Sequence, residues 1–223
     1  MGGCCGEGIP SCERVFDEGA AKADLRRLRR RGPSWATRTL TEALADGLDL
    51  ADLSVVDIGA GVGAVHLALL ERGARAAVDI DASSAYLAAA REEAERRGLA
   101  ERVTYLLGDV TARSGSLEPA DLVALDRVVC CYANVAALMH AAASLSSRRV
   151  GFVYPRDTWW ARLGATVANP LLFRRAGGYR MQIHPAAAVT GPLLAAGFRR
   201  RLIRDGWMWR VETWERGPVP PAG

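Results

Sequence analysis

Hydrophobic and polar positions along the chain alternate between two periods. Apolar runs at Leu53–Ile58, Arg75–Asp79, Arg102–Leu107, Asp121–Leu125 and Arg149–Tyr154 read as buried strands. Helical patterns separate them at Val62–Arg72, Ser83–Arg97 and Tyr132–Ser146, and Gly73 and Gly98 close the first two. A helical preface comes before, from Glu13 to Arg31, broken at Gly32-Pro33 and resumed from a Ser34 cap to Leu50. After Pro155 the pattern loosens into a helical stretch, Thr158–Val167, and a loop through His184-Pro185; a last helix runs Pro185–Ala196. Two strand patterns, Phe198–Ile203 and Trp207–Trp214, meet across Asp205-Gly206, a turn dipeptide that marks a hairpin. The order predicts an α/β fold: a Rossmann-like doubly wound sheet of seven strands with a terminal antiparallel hairpin and an N-terminal helical extension. Residues 1–50 form the extension or lid, 51–216 the main domain and 217–223 a tail.

Composition narrows the classes. At 223 residues, with 50% hydrophobic and 24% charged, the chain can bury a core without staples. No apolar run approaches the roughly 18–20 residues of a membrane span, so no membrane partner is expected. Met1–Cys5 lacks the basic and apolar regions of an export signal, so the cytoplasm is the expected compartment. The net charge is +4, almost all the basic residues are arginine, and Lys22 is the only lysine. Arginines cluster at positions 26–31 and 199–201, but no aromatic residues interleave with them as a single-strand platform requires; nucleic acid is not an expected partner. Five cysteines without an export signal argue against a disulfide framework, and their spacing matches no zinc ribbon.

The chemistry-bearing stretch is Val55-Val56-Asp57-Ile58-Gly59-Ala60-Gly61-Val62-Gly63-Ala64. Glycines where a strand feeds a helix let the backbone approach a bound cofactor. Gly59, Gly61 and Ala64 also satisfy a loose dinucleotide fingerprint, so the loop alone leaves two cofactor classes open. Three neighbours add to it: Asp57 two residues before the loop, Asp79 twenty residues after Gly59, and Gly108-Asp109 after the third strand.

This set resembles class I S-adenosylmethionine-dependent methyltransferases over roughly Leu53 to Trp214. The resemblance implies an enzyme that uses S-adenosylmethionine. Gly59, Gly61 and Gly63 would line the methionine portion, with Asp57 beneath it. Asp79, with Ile80 beside it, would hold the ribose, and Asp81 is a second carboxylate nearby. Asp109 and Val110 would take the adenine, with Leu125 and Asp126 from the fourth strand completing the pocket. Uncharacterised bacterial methyltransferases of similar length share the Arg127-Val-Val-Cys130-Cys131-Tyr132 core. Magnesium protoporphyrin methyltransferases are a looser likeness, through Tyr154-Pro155-Arg156-Asp157. At the fourth strand two cysteines and Ala133-Asn134 depart from the common small-molecule pattern, which leaves the acceptor open.

Three residues are candidates for catalysis: His184 as a base or acceptor contact, Cys131 close to the transferable methyl, and Tyr132. Arg156, Asp157 and Trp160 follow the fifth strand at the open end of the sheet and are candidates to orient the acceptor. The first functional reading is methylation of a small molecule at O or N. A second is thiol or metalloid methylation, with Cys131 joined by Cys4, Cys5 or Cys12, against the plain reading of buried cysteine as a small apolar residue. A third is a cofactor-binding, non-catalytic or RNA-associated partner. No metal is expected to reside in the protein, and the oligomeric state is left open.

Overall fold

The computed structural model describes residues 13, 15–175 and 180–217. The expected helix over Glu13–Arg31 is interrupted at Phe16-Asp17: residues 13 and 15 are helical, and helix α1 (Glu18–Arg31) starts afresh where the Asp17 carboxylate accepts the Ala20 N–H at 2.9 Å. Ser34 caps α2 (Trp35–Ala45) in the same way, accepting the Thr37 N–H. Then β1 (Ser54–Ile58), α3 (Ala64–Glu71), β2 (Ala76–Asp81), α4 (Ser84–Arg96), β3 (Val103–Leu107), the short α5 (Val110–Arg113) and β4 (Ala120–Asp126) alternate. A 3-10 turn, Val129–Cys131, precedes α6 (Val135–Ser144), which Asn134 caps. The chain ends with β5 (Ser146–Pro155), α7 (Trp159–Arg175), α8 (Ala186–Ala195), β6 (Phe198–Asp205) and β7 (Trp209–Arg216).

The seven strands are ordered β3-β2-β1-β4-β5-β7-β6. β1 to β5 pair in parallel, while β7 lies antiparallel between β5 and β6. The doubly wound sheet with its terminal hairpin is therefore present. α7 runs eight residues beyond the expected Val167, and β2 continues two residues past Asp79.

Alternation along the strands divides the core into two layers. Val56, Ile58, Val123 and Leu125 face α6 and α8, where Leu138, Met139, Val189 and Leu193 are buried. Val55, Ala77, Leu122 and Ala124 face the other way, onto Leu40 and Leu44 of α2 and Leu67 and Leu70 of α3. α2 of the N-terminal extension is thus part of the core. α1 is anchored to α4 through Glu93, a fully buried carboxylate gripped by Arg29 (2.8 Å), Arg96 (2.6 Å) and Arg97 (2.8 Å). The order of the parallel strands reverses between β1 and β4, and their carboxyl ends open a crevice there.

Candidate active site

The crevice is a cavity with two walls. Ile58, Gly59, Ala60 and Gly61 form one with Ile80, Asp81, Gly108 and Val110; the extension supplies the other through Phe16, Asp24, Arg27, Pro33, Ser34 and Thr37. Asp126, Arg127, Val128, Cys131 and Tyr132 close the floor.

The glycine loop is shaped by close approach. Gly59 has φ 61°, its N–H donates to the Ile80 carbonyl at 2.7 Å, and a Cβ there would lie 2.0 Å from the Val128 methyl. Gly61 also takes a left-handed φ, and its N–H donates to the Asp81 carboxylate at 3.1 Å. The other Asp81 oxygen accepts the Ser83 N–H at 2.9 Å, so Asp81 ties the loop to the start of α4.

Asp79 is not brought into this cavity. β2 does not end there: Asp79 pairs in register with Asp57 of β1 and Tyr105 of β3, and the strand runs on to Asp81 opposite Leu107. Asp79 is fully buried with neither carboxylate oxygen hydrogen-bonded, and burial with Asp57 beside it pushes its carboxyl well above the ordinary value. The β2 carboxylate that lines the cavity is Asp81, two residues later on the same face of the strand.

Asp57 is buried too. Its Oδ2 accepts the backbone N–H of His66 at 3.2 Å and lies 3.0 Å from His66 Nδ1, so it braces the first turn of α3 rather than lining the cavity. Burial raises the Asp57 carboxyl, and His66 partly offsets that rise. Gly63 caps α3 with φ 77° and, like Leu125 in the core, is not on the cavity wall. Asp109 is set back as well: its Oδ1 accepts from Thr111 N–H (2.8 Å), the Thr111 hydroxyl (2.8 Å) and the Tyr132 hydroxyl (2.9 Å). Its neighbours Gly108 and Val110, together with Ile80 and Asp126, do reach the wall.

Of the three catalytic candidates, Cys131 and Tyr132 line the cavity. His184 does not: its Nε2 lies 2.8 Å from the Tyr132 carbonyl, which tethers the segment after α7 to the floor. Burial holds the His184 imidazole below its ordinary pKa. Arg156, Asp157 and Trp160 sit away from the cavity, at the hairpin turn. Arg156 donates to the Gly206 carbonyl and faces Asp205 at 3.5 Å, Asp157 pairs with Arg162, and Trp160 stacks on Trp207 with centroids 5.2 Å apart. Local partners, five residues along the helix or across the hairpin, take up these groups.

Sequence reasoning named Asp126, Cys131 and Tyr132 but missed Thr37, Arg127, Asp24 and Tyr86 on the cavity lining. The Thr37 hydroxyl donates to Asp126 Oδ2 at 2.7 Å, and Arg127, at φ 62°, clamps the same carboxylate through two contacts of 3.1 Å. Across from it the Tyr86 hydroxyl donates to Asp24 at 2.8 Å, and Arg27 pairs with Asp24 at 2.9 Å. The Ser34 cap was the one visible signal that α2 begins here. Among the described residues no group of three or more His, Cys, Asp or Glu side chains could hold a metal, and Cys4, Cys5 and Cys12 lie outside those residues. No described helix is long and apolar enough to cross a membrane.

Comparison with known proteins gives a consistent frame. Residues 55–147 match a family model described as a methyltransferase domain. Among curated proteins, the ribosomal protein L11 methyltransferase of Haemophilus influenzae (strain PittEE) is 45% identical over 64 residues, 29% of this chain and 22% of that protein. That of Pasteurella multocida (strain Pm70) is 37% identical over 120 residues, 52% of this chain and 37% of that protein. The chain thus spans about a fifth to a little over a third of the length of the curated relatives it matches. Among solved structures, magnesium protoporphyrin IX methyltransferase from Synechocystis PCC 6803 with bound SAH superposes with a TM-score of 0.67 at 20% identity, covering 96% of both chains. An O-methyltransferase family protein from Burkholderia thailandensis gives 0.69 at 17% identity, covering 92% of this chain and 61% of that one. At such identities the likeness is one of fold. Over residues 55–147 the chain is therefore similar to a methyltransferase domain, and its fold is that of the solved methyltransferases it superposes on.

Proposed function

We propose that the protein transfers a methyl group from S-adenosylmethionine to an oxygen or nitrogen of a small molecule. The observation that carries this reading is the pairing of the Gly59–Gly61 loop with Asp81 on one wall of the crevice at the sheet's switch point. The residues present suit the cofactor: positive-φ glycines leave room for a ligand, Asp81 is placed for the ribose hydroxyls, and Ile80 and Val110 offer an apolar slot for a base. When bound, S-adenosylmethionine supplies a methyl carbon already activated by its sulfonium.

The chain's own work is then positioning. Phe16, Leu28 and Pro33 of the extension line the crevice opposite the glycine loop. The cavity carboxylates of the extension wall and the floor are already engaged, Asp24 by Tyr86 and Arg27, Asp126 by Thr37 and Arg127. They shape and charge the wall rather than wait as a base. Alignment alone can supply roughly 7–11 kcal/mol of a displacement barrier, and a base is required only where the acceptor must first lose a proton. The L11 methyltransferase relatives act, by name, on a protein, but the chain matches too little of their length to carry that acceptor over.

Cys131 on the floor favours a second reading, methylation of a thiol or metalloid. Incubation with methyl-labelled S-adenosylmethionine and pools of phenols, carboxylic acids, amines, thiols and arsenite separates the two. Label transfer to an O or N pool, retained in Cys131→Ser, supports the first reading. Transfer only to thiols or arsenite, lost in that variant, replaces it with the second; binding without transfer to any pool would leave a cofactor-binding partner instead.

A further inference from the structure

α7 packs the wrong way round for a helix of a soluble surface. Among the described residues, its buried positions are the small Ala161 and Ala165, while four of its large apolar side chains are exposed. Trp159 is 77% exposed, Leu163 56%, Val167 71% and Phe173 47%, with exposed Pro170 among them. Positions 159, 163, 167, 170 and 173 fall on one side of a 3.6-residue helix, so they form one stripe about 21 Å long. Trp207, 78% exposed at the hairpin turn, extends the stripe by stacking on Trp160. Scattered exposed apolar residues are ordinary, but a continuous stripe of this size marks a surface that something covers.

The flanking charge says what. Arg156, Arg162, Arg204 and Arg210 surround the hairpin end, and the Arg180 guanidinium lies 4.8 Å over the Phe173 ring at the other. Among the described residues, Asp157 and Asp205 are the carboxylates that pair with this group. A two-fold dimer through this face would set the same arginine-rimmed stripe against itself, bringing like charges together. Residues 1–12 offer only Met1 and Ile9 as large aliphatic side chains, too little to cover four turns of helix.

We infer that the outer face of α7, with Trp207, docks on the surface of an anionic lipid bilayer. Tryptophans at both the helix start and the hairpin turn suit the boundary between headgroups and acyl chains, and arginines at the rim suit anionic headgroups. The helix would lie in the surface rather than cross it. Behind it, Asn169 holds Met181 through two hydrogen bonds (2.9 and 3.1 Å), and the Gln182 N–H donates to the Cys130 carbonyl at 2.8 Å. The docking face is thus one short strip of chain away from the cavity floor. The inference stands on surface geometry and is independent of the proposed methyl transfer.

The test is co-sedimentation of the full chain with vesicles of equal parts phosphatidylglycerol and phosphatidylcholine, and with phosphatidylcholine alone. Binding to the anionic vesicles at low salt is expected, weakened by added salt and reduced about tenfold in Leu163→Ser/Val167→Ser. Trp207→Ser, outside the helix, reduces it in the same direction even if the double variant fails to form α7, which far-ultraviolet circular dichroism reports. Failure of the natural chain to bind anionic vesicles, or undiminished binding by Trp207→Ser and a folded double variant, overturns the inference. So does a dimer in sedimentation equilibrium that the same substitutions dissociate, since the face then belongs to a second copy.

Discussion

Replacing Glu93 by glutamine is expected to loosen the wall that covers the crevice. The buried Glu93 carboxylate holds α1 to α4 through Arg29, Arg96 and Arg97, whose hydrogen bonds lower its pKa from 4.5 to about 2. A fall of that size corresponds to about 3 kcal/mol. The arginines are partly solvated, and screening reduces the contribution to about 1–2 kcal/mol. Because the folded-state pKa is depressed, this stability is present above pH 4.5 and is lost as the pH falls toward about 2. Glu93→Gln should therefore lower the Tm by about 2–8 °C at pH 7, and the gap to the natural protein should close as the pH drops through that window. Since α1 supplies Asp24, Arg27 and Leu28 to the cavity, cofactor affinity should fall with it. Thermal melts from pH 7 to 3 and calorimetric titration of S-adenosylmethionine read both effects. An unchanged Tm, or a gap that stays constant across pH, would refute the anchoring argument.

Three further outcomes follow from the site. Asp79 has a raised pKa, so the stability its neutral form contributes is present below pH 3.8 and lost as the pH rises through the raised value; Asp79→Asn should be at least as stable as the natural protein at pH 8, and denaturant titrations across pH check this. Gly59→Ala meets Val128 at 2.0 Å and should cost about 3 kcal/mol or more, whereas Gly61→Ala, with Tyr86 no nearer than 3.7 Å, should cost only about 1 kcal/mol of left-handed strain. His184→Gln should leave kcat within about threefold if the imidazole only tethers the floor, while a loss of about a hundredfold at unchanged cofactor affinity would restore it as a base.

Much of this fold is legible in the sequence because its signals are local. The glycine loop, the Ser34 cap and the Asp205-Gly206 turn each depend on a few adjacent residues, and each appears where its chemistry demands. The choice between Asp79 and Asp81 is not local. Both lie on the same face of one strand, and which one reaches the crevice depends on how far β3 pairs alongside, to Leu107 opposite Asp81. The contact between Thr37 and Asp126 was hidden for a similar reason: the two are far apart in the chain, and nothing near either residue announces the other. Arg156, Asp157 and Trp160 were placed at the correct end of the sheet, but the hairpin turn and Arg162 engage them instead of the cavity. The outward stripe of α7 escaped notice because the helix was expected to stop at Val167, which hides its last two turns.

The central claim is that the Gly59–Gly61 loop and Asp81 form the S-adenosylmethionine site. Calorimetric titration of S-adenosylmethionine and, separately, NADH into the natural protein, Asp81→Ala and Asp79→Asn tests it most directly. The account predicts micromolar binding of S-adenosylmethionine alone, weakened about thirtyfold or more in Asp81→Ala, where charged hydrogen bonds are lost, and retained in Asp79→Asn. Binding of NADH in place of S-adenosylmethionine would return the loop to its dinucleotide reading, and loss in Asp79→Asn with retention in Asp81→Ala would contradict the site built here.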